Sequence, residues 1–166
     1  MPITTPVKRL KLENIVLSGT AFDVANIPAW ANETNIQIFG LSTNGTQAPA
    51  LRIGAGGSPA AAGYVSPSFK VATSNAITAQ AISTDRFKIS PINTAADIHT
   101  IQLQIKKISN FKYMYECNGY LDEATDAQFS AFGFVDLGAN MDIIRLLTQN
   151  GTDVFDGGIM HVEFKE

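Results

Sequence analysis

Apolar and polar residues alternate with a period of two over much of this chain, the repeat of a half-buried strand. The clearest run is IHTIQLQIKKI, residues 98–108, where Ile101, Leu103 and Ile105 alternate with Gln102, Gln104 and Lys106. FKYMYECNGYL, residues 111–121, follows across Ser109-Asn110. It sets Phe111, Tyr113, Tyr115 and Cys117 on one face and Lys112 and Glu116 on the other, so the two runs predict a β-hairpin. AQFSAFGFVDL, residues 127–137, carries Phe132 and Phe134 on one face and Phe129, Ala131 and Gly133 on the other. Large residues on both faces predict a central strand covered on both sides. TNIQIFGLS, residues 34–42, places Ile36, Ile38 and Gly40 opposite Gln37, Phe39 and Leu41. The last segment, GGIMHVEFKE, turns Met160, Val162 and Phe164 inward and His161, Glu163 and Lys165 outward.

Shorter runs fill the intervals. LKLENIVL (10–17) is mostly apolar with a polar break, ALRIG (50–54) is a short strand, and RFKIS (86–90) stops at Pro91. MDIIRLLT (141–148) is continuously apolar, but it is short and bounded by Gly138 and by Asn150-Gly151, which favours strand over helix. YLDEATDAQF (120–129) starts like a helix first turn, with Asp122 and Glu123, yet reads mainly as a loop. Residues 54–85, rich in Gly, Ala, Ser and Thr, are expected to make long excursions away from the sheets. In NGTDVFDGG (150–158), Asn150-Gly151 predicts a two-residue turn joining IIRLLT to IMHVEF as a closing hairpin. Gly157 and Gly158 there permit a bulge. Many short strands with frequent turns predict an all-β fold, an antiparallel β-sandwich of jelly-roll-like kind. Residues 1–10, held extended by Pro2 and Pro6, form an N-terminal arm, and residues 11–166 form a single β-sandwich domain.

Composition narrows the function classes. Hydrophobic residues are 45% and charged residues 16% of the chain, against a usual charged share of about 25%. The surface therefore relies on Ser, Thr, Asn and Gln. The net charge is -3, and no basic run exceeds Lys8-Arg9 or Lys106-Lys107, so no nucleic-acid footprint is present. No run of about 18 apolar residues exists, which argues against membrane insertion. The N-terminus lacks the apolar region of a signal peptide, which points to a cytoplasmic site of synthesis. That reading makes Asn44-Gly45-Thr46 and Asn150-Gly151-Thr152 turns and not glycan acceptors.

Candidate chemistry is sparse. Cys117 is the one cysteine, so there is no intrachain disulfide, and it reads as a buried or half-buried strand thiol. His99 and His161, the only histidines, sit at strand positions read as facing the polar side, with no catalytic motif around them. Asp153 and Asp156 have the wrong rhythm for a calcium loop and read first as turn braces, with a weak hydrated cation as the remote alternative. No catalytic, cofactor-binding or metal residue emerges, and no cofactor is expected. Trp30, in NIPAW, reads as a packed corner of the core. Tyr64, in the Gly/Ala-rich AAGYVSP, is the candidate for an exposed receptor or partner contact.

Two stretches carry a resemblance. GTAFDVANIPAWANETNIQIFGLSTNGTQAPALRIG and MDIIRLLTQNGTDVFDGG, together covering about residues 18–54 and 141–164, resemble the β-sandwich domain of tailed-bacteriophage virion proteins. That domain occurs in tail-fibre and host-attachment proteins and in short free-standing virion proteins. The resemblance implies a non-enzymatic structural protein of a phage particle, assembled in the bacterial cytoplasm. A tail or fibre component that binds a host surface receptor or glycan is the first reading. A capsid decoration protein that cements the head is the second, and a glycan-active enzyme the third. The implied partners are other virion proteins, further copies of the chain as a homo-oligomer (a trimer), and a host surface glycan. The middle of the chain departs from the family pattern, being more aromatic around Tyr113 and Tyr115 and more acidic in NGYLDEATDAQ.

Overall fold

The computed structural model describes residues 7–90, 95, 97–122 and 126–166. It is an all-β sandwich of two antiparallel sheets. Strands are numbered in chain order. The larger sheet runs, edge to edge, β1 (Arg9–Val16), β13 (Phe155–Lys165), β3 (Glu33–Thr43), β9 (Ile98–Ser109), β10 (Lys112–Asp122), β11 (Ala127–Asp136), β6 (Ser66–Ala72) and β7 (Ile77–Ser83). The smaller sheet runs β2 (Ala21–Ala25), β12 (Ile143–Thr148), β4 (Pro49–Ala55) and β5 (Ser58–Pro59), with β8 (Phe87–Lys88) also paired to β4. From β1 to β4 and from β11 to β13 the chain alternates between the sheets, the jelly-roll habit, while β9, β10 and β11 form a meander within one sheet.

Period-two patterning explains the layering. Ile36 and Ile38 of β3, Leu103 and Ile105 of β9, Tyr115 of β10 and Phe129 of β11 point inward and are buried. Leu51 and Ile53 of β4 and Ile144 and Leu146 of β12 belong to the same apolar cluster. Each such side chain contributes about 1.5–3 kcal/mol on full burial. Phe87 and Tyr115 stack face to face at 4.5 Å, tying the two sheets together. Cys117 is a buried thiol, as its strand position implies, and burial pushes it up to about 12. Trp30 is half-buried and packs against the core from its corner.

Several features depart from the sequence reading. The β9–β10 hairpin turns at Asn110-Phe111, one residue later than expected. Residues 54–85 are not an excursion: they hold β5, β6 and β7, and the latter two complete one side of the larger sheet. Small side chains do not forbid strands when neighbours supply the ladder. In β3 the face assignment fails after Ile38, where the register to β9 shifts before Leu41 and Gly40 takes φ 66°. The bulge flips the phase, so Leu41 is buried beside Ile36 and Ile38 while Phe39 faces outward. β11 is central in its sheet but covered on one face only, because Phe132 and Phe134 are 52% and 42% exposed. The expected arm falls partly on residues 1–6, outside the described residues, and its last two positions, Arg9 and Leu10, already belong to β1.

The closing hairpin is also corrected. β12 and β13 lie in different sheets and do not pair. Both edges of β12 are taken, by β2 and by β4, and both edges of β13 by β1 and β3. Asn150-Gly151 therefore starts an arch that crosses from sheet to sheet. Gly151 has φ 70°, and Asn150 Oδ1 accepts from the Thr152 and Asp153 N–H groups at 3.0 Å each. Asp153 accepts from Gln47 N–H at 3.0 Å and from Asn150 Nδ2 at 2.7 Å, while Asn44 Oδ1 accepts from Val154 N–H at 2.8 Å. The arch is thus tied to the β3–β4 connection. Asp156 accepts from Ser42 Oγ at 2.5 Å. Both aspartates brace backbone and loops, as expected of them, and Gly157 and Gly158 do form an irregular stretch in the β13 ladder.

Candidate functional site

Tyr64 is not a surface contact. It is 1% exposed, with its ring edge-on to Phe87 at 4.8 Å. Its hydroxyl accepts from Ile53 N–H at 3.0 Å and donates to the Ile53 carbonyl at 2.8 Å. β4 pairs on this side with β8 through Ala50 and Leu51 and with β5 through Gly54 and Ala55. Ile53 falls in the gap, and the phenol fills the missing rung of the ladder. That need, and not the Gly/Ala-rich setting, decides where Tyr64 goes. Burial pushes its phenol up to about 12.

His99 is corrected in the same way. It is 1% exposed, and its Nδ1 lies 3.2 Å from the Leu41 carbonyl oxygen. The parity is plain once noticed: His99 shares a face with Ile101 and Leu103. His161 does face outward. Its ring meets Phe39 edge-on at 5.9 Å, and its Nδ1 receives Asn14 N–H at 3.4 Å. The two histidines therefore lie on opposite faces of the larger sheet. Among the described residues, no group of three or more His, Cys, Asp or Glu side chains is placed to hold a metal ion. No helix among them is long and apolar enough to cross a membrane.

What the fold does assemble is the outward face of the larger sheet. Register places His161, Gln37, Gln102, Asn118 and Ser130 in one row across β13, β3, β9, β10 and β11. The next row toward the β3 bulge holds Thr100, Tyr120 and Gln128, and Phe39 enters it from the bulge itself. On the other side lie Glu163, Asn35, Gln104, Glu116 and Phe132. Two adjoining troughs open on this face and share Gln37, Phe39 and Gln102. One, of about 510 Å³ between β1 and β9, is ringed by Lys11, Glu13, Glu163 and Lys165. The other, of about 420 Å³ between β3 and β11, has no ionisable carboxylate, amine or imidazole in its lining.

The two troughs also differ in how far their polar groups are used up. In the charged one, Gln104 Nε2 donates to Asn35 Oδ1 at 2.9 Å and Asn35 Nδ2 to Glu33 Oε1 at 2.8 Å. Glu33 in turn accepts from Lys165 at 3.3 Å. The Asn35 bond leads in holding the Glu33 carboxyl below its usual range, with Lys165 adding to it. In the uncharged trough, no side-chain hydrogen bond within the described residues engages Gln37, Gln102 or Gln128. Two rings flank them, Phe39 at 48% and Tyr120 at 42% exposure. Phe39 is oriented by the His161 edge contact, and hydrogen bonding to Asp126 raises the Tyr120 phenol pKa. Ser130 Oγ donates to Asn118 Oδ1 at 2.6 Å, which turns the Asn118 amide in the trough wall.

Single residues of this surface were visible in the sequence as the polar half of the alternation. Nothing in the sequence says which of them are neighbours. Comparison of the chain with protein-family models, with curated proteins and with solved structures gave no match.

Proposed function

We propose that the chain is a non-enzymatic structural protein of a tailed phage particle, a tail or fibre component that contributes to host attachment by binding a surface glycan. One observation carries the binding part: the outward face of the larger sheet, a broad lattice of amide side chains bordered by exposed aromatic rings. Amides supply paired donors and acceptors for hydroxyl groups, and ring faces suit the C–H faces of sugars. The resemblance of residues 18–54 and 141–164 to phage sandwich domains supports the virion part. The working form is a homo-oligomer, with a trimer as the expected count. Labelled antibody on intact particles and binding of the purified chain to host cells and their envelope polysaccharide test this reading. Tail labelling with cell binding is the expected result. Particles that lack the protein, or cells that do not bind it, overturn it.

A second reading has its own observation. Ile108, Met114, Phe132 and Phe134 form an apolar corner on the same face, with Phe132 and Ile108 each 52% exposed. Such a corner suits burial against another protein, as in a capsid decoration protein. Head labelling, with capsids that burst on dilution when the protein is removed, is the outcome that favours it.

A further inference from the structure

We infer that the uncharged trough between β3 and β11 binds an uncharged oligosaccharide lying across the strands, with Phe39 and Tyr120 as its two stacking platforms. This rests on the glycan-binding reading above and adds the ligand's charge class, its direction and the residues that hold it. Three observations converge on it.

The first is spacing. Tyr120 on β10 lies opposite Thr100 of β9, and Phe39 stands one strand further on, in the β3 bulge where the register to β9 shifts. Two strand spacings set the strands that carry the rings roughly 10 Å apart, a span that suits consecutive sugar rings along an extended chain. A ligand running along a strand would meet only one of them. The second is the state of the amides. Gln37 and Gln102 face each other directly across β3 and β9, and Gln128 lies opposite Tyr120. None is engaged by another side chain within the described residues, whereas the neighbouring Asn35 and Gln104 are bonded to each other. Gln128 offers its amide on the row where a transverse chain would lie, and Gln37 and Gln102 offer theirs from the row alongside. The third is charge. Lys11, Glu13, Glu163 and Lys165 line only the adjoining trough, which shares Gln37, Phe39 and Gln102 with this one. The lining of this one has no cation to pair with a uronate, sialic acid or phosphate, and the Asp126 carboxylate beside Tyr120 lines the next hollow along. An anionic sugar seated here would lose hydration with no cation in the lining to compensate.

The test uses the purified full chain on an array of uncharged oligosaccharides and their uronate-, sialic-acid- and phosphate-bearing counterparts, with an extended polar peptide set as the non-sugar arm. Binding to uncharged oligosaccharides is expected, rising from disaccharide to longer chains. Phe39→Ala and Tyr120→Ala should each weaken it by about fivefold or more, as for an anchoring residue. Phe132→Ala, on the same face but outside the trough, should leave it unchanged. Thermal unfolding of each variant separates a lost platform from a lost fold. Binding only to charged glycans, or binding indifferent to both ring substitutions, overturns the inference and leaves the attachment reading standing. Binding to the peptides alone overturns the inference too. Failure to bind any glycan, together with failure to bind host cells, overturns both.

Discussion

Tyr64→Phe removes a single hydroxyl and should lower stability without touching ligand binding. The substitution keeps the ring and its edge contact with Phe87 at 4.8 Å. What it deletes is the group between β8 and β5 that serves Ile53. The Ile53 carbonyl keeps a partner, because Ala60 N–H donates to it at 2.9 Å. The Ile53 N–H, bonded to the phenol at 3.0 Å, is the group left orphaned in a side of the core that excludes water. A buried donor stripped of its acceptor costs about 1–3 kcal/mol. In a chain of this size each kcal/mol moves the midpoint by about 2–4 °C, so the expected fall in Tm is roughly 2–12 °C. Urea unfolding should show the same loss with an unchanged m-value. Tyr64→Ala should cost a further increment of a few kcal/mol for the vacated ring volume, on the order of other aromatic truncations. A Tm for Tyr64→Phe equal to that of the native chain would refute the rung. An exposed contact residue would behave in the opposite way, with unchanged Tm and weakened binding.

Three further substitutions probe other joints. Gly151→Val should cost about 1–2 kcal/mol, the price of a left-handed backbone for a residue with a Cβ, because φ is 70° and a Cβ there meets nothing within 4 Å. Gly151→Asn should be milder, and equal Tm values for native and Val forms would remove the turn from the account. At Gly119 an added Cβ would sit 2.6 Å from the Thr100 carbonyl oxygen and collide with the Phe129 ring, so Gly119→Ala should lose about 1–3 kcal/mol by overpacking, and a native-like melting curve would contradict this. Asp85 is held well below the usual carboxylate range, first by its hydrogen bond with Arg86, with Ser83 and Arg52 adding to it; burial, the second-largest influence, opposes them. A depressed folded pKa means that the unfolded chain binds the proton first as pH falls. The stabilisation is therefore full above about pH 4, the unfolded value, and declines below it. Asp85→Asn should be less stable at neutral pH yet show a flatter fall in Tm between about pH 4 and pH 2, and an equally steep acid limb would show that other carboxylates govern it.

How much of this was legible beforehand follows from the range of each interaction. Alternation is local, so β9, β10 and the end of β13 could be read residue by residue, with Ile101, Leu103, Tyr115 and Val162 turned inward as their spacing implies. The class of fold came from the same signal, repeated with turns between. His99 was within reach of that logic as well, since it has the parity of Ile101. Phe132 and Phe134 were not, because apolar character does not say whether a face is covered.

Pairing is a different matter. A strand's two edges accept whichever neighbours the whole chain brings to them, and that choice is non-local. Asn150-Gly151 determined a turn, but the occupied edges of β12 and β13 made it an arch between sheets. Gly40 marked a place where a bulge could form, yet only the β3–β9 register turned Leu41 in and Phe39 out. Tyr64 reads as a loop residue until the gap in the β4 ladder appears. Gln37, Gln102 and Gln128 are likewise polar positions on three separate strands, far apart in sequence. By itself the sequence determined their outward direction, through the pleat; only the sheet order and register made them neighbours, set between two rings.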